Sequence, residues 1–342
     1  MRYYNIVLTN STTGAQILPA SLQGLPLSSL LPNGQVNTSA LNIELDLPVG
    51  PMHAPIGQGI VKIWGISLAE IGSAYNLNDN LISVYAGMSK GLPLANPSQA
   101  RLLIKGTIFQ AFGNWQGTEQ SIDLIFYPDG GTNADPKNFA LNWQAGTPLA
   151  TALSGALTTG LPNAKQQINL SPRLTLNYAV QGVYGTLNNL STWANSFSQS
   201  IITDANYPGV TITYDGTTVK VTDQTTPPPN VTAIEFTDLL GQPTWIGSQT
   251  IQFKTVMRGD INLQDVVSLP QGPTIVTAAS LSRFLNIQDK TSFTGNYVVQ
   301  EIHHYGNFRQ PDGASWNTTF NARPQTTAEA PNPTPGGLLG RA

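Results

Sequence analysis

The chain has 342 residues, with 16 Lys and Arg against 19 Asp and Glu, a formal charge of −3 and no cysteine. Tight phosphate binding needs clustered cations, and none are visible, so the composition gives no reason to expect specific nucleic-acid binding. The lack of cysteine excludes disulfides, thiolate metal sites and a thiol nucleophile. A chain of this length accommodates two or three domains, each with its own core.

The N-terminal segment, residues 1–14, alternates apolar and polar side chains. A signal peptide would show a basic end and then a continuous apolar stretch, so this segment is predicted to be a first strand. No segment of the sequence approaches the roughly 20 apolar residues of a membrane span. We therefore expect no direct insertion into a membrane.

Residues 1–130 are predicted to form a first β-domain, because short strand candidates alternate with turn signals. LNIELDL, residues 41–47, places its apolar residues on one face and its polar residues on the other. A short helical turn is expected in ISLAEIGSAYN, residues 66–76. The turn-rich segment YPDGGTNADPKN, residues 127–138, marks the boundary.

Residues 131–230 are predicted to form a small α+β domain with two helices. Thr147 and Pro148 are expected to supply an N-cap and a first-turn proline for a helix that stops near Gly160. The second helix is indicated by one stripe of apolar residues at three- and four-residue spacing: Leu187, Leu190, Trp193, Phe197 and Ile201.

Two further segments complete the middle region. VTITYDGTTVKVTD, residues 210–223, predicts a hairpin that turns at Asp215-Gly216. TTPPPN, residues 225–230, predicts a stiff, extended linker to the next domain.

Residues 231–323 are predicted to form a second β-domain that repeats the first. Each region contains the same three features in the same order. A strand-like run comes first, then an apolar run ending near a glycine, then two strand-like runs around Gly-Asn-aromatic. The matched pairs are residues 61–66 with 251–256, 80–87 with 265–272, and 106–126 with 295–322.

The C-terminal tail, residues 324–342, has too much Pro and Gly and too few apolar residues to fold alone. We expect it to be held against a neighbouring molecule.

The three histidines are the first candidates for chemistry, because a hydrolytic triad needs a positioned base. His53 lies in a Pro- and Gly-rich loop with no nucleophile signature beside it. His303 and His304 are adjacent in a strand candidate, so their side chains point to opposite faces and cannot converge on one ion within a subunit. Cross-strand or interface packing is the favoured interpretation. The alternative is a metal or pH-switch role across subunits.

Carboxylate pairs are the second candidates, since glycosidases use two such groups. Each candidate also lies where a polar residue on a solvated face is the ordinary explanation. The five candidates are Glu70, Glu119, Asp123, Glu235 and Asp238. The run Asp129 to Asp135 has the composition of a calcium loop but lacks the EF-hand ligand order, so a turn is expected there.

The six tryptophans are scattered over all three regions, which argues against a sugar-binding platform. Trp115 and Phe308 follow Gly-Asn in matching turns. This match predicts a shared packing role at a hairpin. The sequence contains neither a Walker-type phosphate loop nor a dinucleotide fingerprint. We predict no catalytic, cofactor-binding or metal-binding residues.

In these motifs the chain resembles the baseplate hub proteins of phage tails, which are related to the hub portion of type VI secretion spike proteins. The resemblance covers most of the chain. It depends on the runs at residues 80–94, 103–126, 251–269 and 297–322. It implies a mainly β fold with a small α+β insert, in which two tail-tube-like β-barrel domains flank a middle α+β domain.

The resemblance also implies a function and a set of partners. Three subunits would place six barrels in a ring that joins a hexameric tail tube to the central spike and lines the channel for the genome. The expected partners are the tail tube, the central spike, the tape measure protein and other baseplate proteins, with only transient, non-specific contact with DNA. The expected location is the virion tail baseplate, after assembly in the host bacterial cytoplasm. No enzyme activity and no cofactor are expected.

Three other functions stay open at this point. A tail-tube or distal-tail subunit would form a sixfold ring instead of a threefold one. A tail-associated cell-wall hydrolase would clear peptidoglycan by itself. A glycan-binding module would need an aromatic groove that the sequence does not reveal.

Overall fold

The structure is a computed structural model that describes residues 1–54, 58–89, 96–128, 136–204, 207–225, 230–247, 249–270, 293 and 295–325. Its strands and helices fall into three consecutive groups. The first group is β1 (Arg2–Thr9), β2 (Gln16–Ile17), β3 (Asn42–Val49), β4 (Gly59–Trp64), α1 (Leu68–Gly72), β5 (Leu81–Met88), β6 (Arg101–Gln116) and β7 (Glu119–Tyr127). We call these elements the first β-unit.

The middle unit and the second β-unit follow. The middle unit contains β8 (Phe139–Trp143), α2 (Leu149–Gly160), β9 (Lys165–Asn169), β10 (Val180–Tyr184), α3 (Leu187–Ile201), β11 (Thr211–Tyr214) and β12 (Thr218–Thr222). The second β-unit contains β13 (Val231–Ala233), β14 (Thr244–Gly247), β15 (Thr250–Val256), β16 (Val266–Ser268), β17 (Asn296–Asn307) and β18 (Trp316–Pro324).

The two β-units contain the same six-strand arrangement. In the first, the hydrogen-bonded order is β3-β4-β7-β6-β5-β1, and in the second it is β14-β15-β18-β17-β16-β13. One difference is that β13 runs parallel to β16, whereas β1 runs antiparallel to β5. The order of elements predicted from the repeated sequence pattern is therefore confirmed.

The mainly β class with an α+β insert is also confirmed, and the structure adds how the β-units are connected. Strand β17 pairs with β16 through its first residues and with β3 of the first β-unit through its last residues. All the strands of both β-units thereby join one 13-stranded sheet. The two units thus share a continuous ladder of backbone hydrogen bonds.

Each unit nevertheless has its own apolar core. Strand β3 shows why: Ile43, Leu45 and Leu47 are buried, as the alternation of the sequence predicts, while Asp46 is exposed. The core of the first β-unit also includes Met257 and Trp316 from the second. The cores therefore meet at the same place where the strands pair.

The middle unit follows its sequence signals closely. Helix α3 begins at the predicted apolar stripe, with the Thr186 hydroxyl accepting a hydrogen bond from the Asn189 amide as its N-cap. Strands β11 and β12 form the predicted hairpin, and the Asp215 side chain accepts from the amides of Thr217 and Thr218 in its turn. The small sheet also gains β9, which pairs parallel to β12 and was not predicted.

One detail of the helix prediction is wrong. Pro148 occupies the N-cap of α2 and makes no side-chain capping bond, so it is not the first-turn residue. Thr147 precedes the cap, and its hydroxyl donates to the carbonyl of Gln144. The helix ends at Gly160, as expected.

The short helical turn and the first strand are confirmed as α1 and β1. Several predictions fall wholly or partly outside the described residues: the turn at Asp129 to Asp135, the linker prolines and the tail beyond residue 325. The proposed domain boundaries near residues 130 and 230 remain predictions. No helix in the described ranges is long and apolar enough to cross a membrane.

Candidate functional site

The histidine pair separates as predicted, with one ring in solvent and one in the core. His303 is exposed, and its Nε2 lies 2.6 Å from Oδ1 of Asp46 on β3. His304 is buried, and its Nδ1 lies 2.9 Å from the Thr318 hydroxyl on β18. Burial, together with the neighbouring His303, lowers the pKa of His304 to about 3. Both histidines thus make cross-strand contacts within the chain, as the favoured interpretation predicts.

His53 is half-buried, and burial lowers its pKa. Its Nδ1 atom is buried and lacks a hydrogen-bond partner among the described residues. No group of three or more His, Asp or Glu side chains in the described part of the chain is arranged to hold a metal ion.

The carboxylate candidates mainly serve local structure. Glu70 forms a capping box with Ser67 at the start of α1. Partial burial raises the pKa of Glu70, but hydrogen bonds from Ser67 and Ser21 lower it more, so the net shift is downward. A general acid of a glycosidase needs a raised pKa, so Glu70 is poorly suited to that role.

The other candidates are placed apart from Glu70. Asp123 on β7 accepts a hydrogen bond from Asn114 and lies 3.7 Å from Lys62 Nζ. Asp238 is buried against Arg258. Glu119 begins β7, and Glu235 precedes the 3₁₀ turn Phe236–Asp238. The partners described for these side chains are hydrogen-bond donors or cations. None of these partners is another of the five candidates, so the contacts form no carboxylate pair.

The tryptophans are also dispersed, and the predicted shared role of Trp115 and Phe308 is wrong. Phe308 packs in the first β-unit, edge-on to Tyr4 at 4.8 Å between ring centroids. Trp115, at the matching step, is 64% exposed, and its Nε1 donates only to the nearby Gly117 carbonyl. The two connections also differ in backbone, since β6 and β7 are joined by residues 117 and 118 alone, whereas residues 308–315 join β17 to β18.

The main candidate for a functional feature is the junction between the two β-units, which we call the seam. Six residues of β17, from Ile302 to Asn307, pair antiparallel with β3 residues from Val49 to Glu44. The ladder continues past the strand, since the Phe308 amide donates to the Ile43 carbonyl at 2.9 Å. A run of backbone hydrogen bonds fixes both spacing and orientation, so the seam holds the units in a defined register.

Contacts of the β17–β18 loop and of Trp316 extend the seam across the first β-unit. The Arg2 guanidinium donates to the carbonyls of Asn307, Phe308, Gln310 and Asp312. Burial lowers the pKa of Arg2, and the charge of Asp312 opposes that shift. The Trp316 indole donates to the Gly87 carbonyl on β5 at 2.9 Å. The loop is therefore held to strands β1 and β5 as well as to β3.

A buried ion cluster secures the seam from the other side. Arg258 lies between two carboxylates, with Nη1 2.9 Å from Asp238 and Nε 2.7 Å from Asp260. Gln99 of the first β-unit donates to the same Asp238 oxygen at 3.0 Å. Because one arginine balances two carboxylates and Gln99 adds a donor, the cluster couples the units through polar contacts.

The middle unit is joined to both β-units. The Met52 amide donates to the Ile212 carbonyl on β11, and the Lys220 amine donates to Asp265 at 2.8 Å. A methyl group on Gly216 would lie 2.7 Å from the Lys105 carbonyl on β6, so that turn approaches the first β-unit very closely.

Beside the seam, the exposed face of the sheet carries charges that are paired with neighbours. His303 faces Asp46, and the Asn307 amide donates to Glu44 at 3.1 Å. Farther along, the Asn321 amide donates to Glu301 at 2.8 Å. Carboxylates and amides bound to one another in this way leave little positive potential to retain a phosphate chain.

Comparisons with solved structures identify this fold. An E. coli component of the type VI secretion system, described as similar to T4 bacteriophage tail proteins, aligns at a TM-score of 0.51 and 9% identity, covering 85% of this chain and 75% of that one. The 43 kDa tail protein of prophage MuSo2 from Shewanella oneidensis aligns at 0.50 and 9%, covering 94% of this chain and 98% of that one. No protein-family model and no curated protein sequence matches.

The chain therefore has the fold found in phage tail proteins and in a type VI secretion component. This agrees with the hub-like architecture that the sequence motifs imply. At 9% identity the likeness concerns the fold, and the role of this chain has to be argued from its own residues.

Proposed function

We propose that this chain is a baseplate hub protein of a phage tail, and that three copies form a ring between the hexameric tail tube and the central spike. The observation that carries the proposal is the six-strand arrangement present twice in one chain and joined by the seam. Three such chains supply six similar units. Six similar units match the sixfold symmetry of the tail tube, although the ring contains only three chains.

The same ring would surround the channel for the genome. A channel wall must let DNA pass without holding it, and a chain of formal charge −3 with paired charges on its exposed sheet face suits that task. Contact with DNA would be transient and non-specific.

The proposed partners are the tail tube protein, the central spike protein, the tape measure protein and other baseplate proteins. The chain would be part of the virion tail and would be assembled in the host cytoplasm. We assign it a structural role without catalysis, which is supported by the engagement of Glu70 in a local cap, of Asp238 in the ion cluster and of His303 in a cross-strand pair.

Assembly is the direct test. Negative-stain electron microscopy and native mass spectrometry of the purified chain at high concentration are expected to show threefold rings with an open centre, at three times the 36.5 kDa chain mass. Sixfold rings would instead identify a tail-tube or distal-tail subunit. Clearing of purified peptidoglycan by the chain alone would contradict a structural role.

A further inference from the structure

The first β-unit contains an unpaired counterpart of the strand that forms the seam. Strand β6 matches β17 in the duplicated order, and β7 covers one of its sides from Thr107 to Gln116. On its other side β5 pairs only as far as Thr107, and Asn78 binds the amide of Ala111. From Phe112 to Gln116 that second side has no strand partner among the described residues.

The backbone of this open half is oriented for pairing. Because the Ala111 amide points away from β7 to Asn78, alternation directs the amides of Gly113 and Trp115 the same way. In the sequence match, Gly113 and Trp115 correspond to Gly306 near the end of β17 and to Phe308 just after it, and the Phe308 amide is bonded to Ile43 of β3. The open half of β6 therefore directs backbone amides outward at Gly113 and Trp115, as the Phe308 amide is directed towards β3 at the seam.

The second β-unit contains the counterpart of the other partner. Strand β14 occupies the position of β3 in the duplicated order and lies at the edge of the 13-stranded sheet. It pairs with β15, and its other side has no strand partner in the described ranges. All four of its residues are exposed, with Trp245 44% and Ile246 51% accessible.

Within the described residues, neither edge carries the charges or proline that often protect a free strand, although Ile71 of α1 packs closely on Gly113 and Phe293 stacks on Trp245. Natural edge strands carry charges or proline, or are covered, because an exposed apolar edge promotes association. The open half of β6 reads FGNWQ and β14 reads TWIG, so neither contains a charged residue or a proline. Phe112 is 36% exposed in the first edge, next to the exposed Trp115.

We infer that β14 of one copy pairs with the open half of β6 of the next copy, repeating between molecules the contact that β3 and β17 make within one. The occupant of each edge is thus a second copy of this chain. The contact is head-to-tail, since two different edges meet, and such contacts close into rings or extend as filaments. This inference rests on the proposed hub function and specifies how its ring would be held.

Cross-linking tests this contact cleanly, because the chain has no natural cysteine. A double variant with Gln116→Cys and Ile246→Cys is treated with a short bis-maleimide. The expected products are covalent dimers and trimers, with nothing larger. A matched double variant with Ile246→Cys and Val183→Cys, whose second site is 73% exposed on the middle unit, is expected to give only background.

Further variants fix the direction and strength of the contact. Each single cysteine variant alone should cross-link poorly, since the two edges are different. Strong products from Ile246→Cys alone would indicate edge-to-itself pairing and would overturn the inference. Ile246→Lys, with unchanged circular dichroism, should lower trimer formation by at least about tenfold, whereas Val183→Lys should not.

The outcomes separate this inference from the proposed function. Threefold rings without cross-links between residues 116 and 246 would overturn the contact and leave the hub proposal standing. A cross-linked series that ends at six would retain the contact and overturn the threefold hub. A chain that stays monomeric at its highest soluble concentration and gives no cross-link would overturn the contact.

Discussion

Phe308 and Trp115 occupy the same step of two duplicated hairpins, yet Phe308 packs against Tyr4 whereas Trp115 is 64% exposed. The difference arises because the second hairpin docks on the first β-unit through the seam, while the first hairpin has no such partner within the described chain. The two positions therefore allow the same kind of side-chain deletion to be compared inside and outside a seam.

Phe308→Ala is expected to lower the free energy of unfolding by about 2 kcal/mol, because a half-buried aromatic ring leaves the junction with Tyr4 and Trp316. Trp115→Ala should change it by less than about 0.5 kcal/mol, since an exposed ring loses little packing. Urea denaturation of both variants measures the difference. Equal losses of unfolding free energy in the two variants would contradict the docking of the second hairpin.

The inferred edge contact predicts a different effect for Trp115→Ala, which should weaken ring formation.

The Arg258 cluster predicts a large stability effect at the other side of the seam. Arg258→Met should cost about 3–5 kcal/mol, because Asp238 and Asp260 lose the cation that balances them. Lys220→Met is the control, since the pair of Lys220 with Asp265 is partly exposed and should contribute under about 1 kcal/mol.

A double variant identifies the cause of that loss. Adding Asp238→Asn to Arg258→Met should recover part of the stability, because one uncompensated buried charge is removed. If the double variant is no more stable than Arg258→Met, lost packing and not buried charge is responsible. Urea denaturation at neutral pH is sufficient for all of these variants.

Much of the fold follows from local sequence patterns, and the seam does not. The alternation in β3 and the stripe on α3 predict their elements because burial of one face leaves a period in the sequence. Strand β9 reads KQQIN and was missed, since its pairing with β12 comes from distant residues and not from its own pattern. The contact between Asp46 and His303 is equally non-local. Only the structure shows that β17 has 12 residues and its partner β16 has 3, so that part of β17 is left to pair with β3.

Acid should destabilise the chain partly through His304. The folded pKa of this histidine is about 3 and its unfolded value is 6.5, so the unfolded state binds more protons between those limits. Stability attributable to His304 is therefore complete above pH 6.5 and falls as the pH drops towards 3, by up to about 1.4 kcal/mol per pH unit.

The matched variant is His304→Asn, which keeps a polar group near the Thr318 hydroxyl without titrating. Urea denaturation of both proteins at pH 7, 5.5 and 4.5 is expected to show a stability difference that narrows as the pH falls. Titration of the carboxylates is common to both proteins and cancels in that difference. A difference that stays constant over this range would show that His304 does not resist protonation.

Substitution by alanine is expected to have opposite effects on stability at Gly306 and at Gly155. A methyl group at Gly306 would lie 2.8 Å from the Trp316 ring and 3.0 Å from the Met257 methyl group, in the packed junction of the two β-units. Gly155 lies within α2 with nothing within 4 Å of such a methyl group. Gly306→Ala should therefore cost roughly 1–3 kcal/mol through overpacking, and Gly155→Ala should stabilise by about 0.5–1 kcal/mol through helix propensity. The reduced entropy of the unfolded chain is similar for both changes, so their difference reports the folded state. Stabilisation by Gly306→Ala would mean that Trp316 yields easily and that the junction is less tightly packed than its distances indicate.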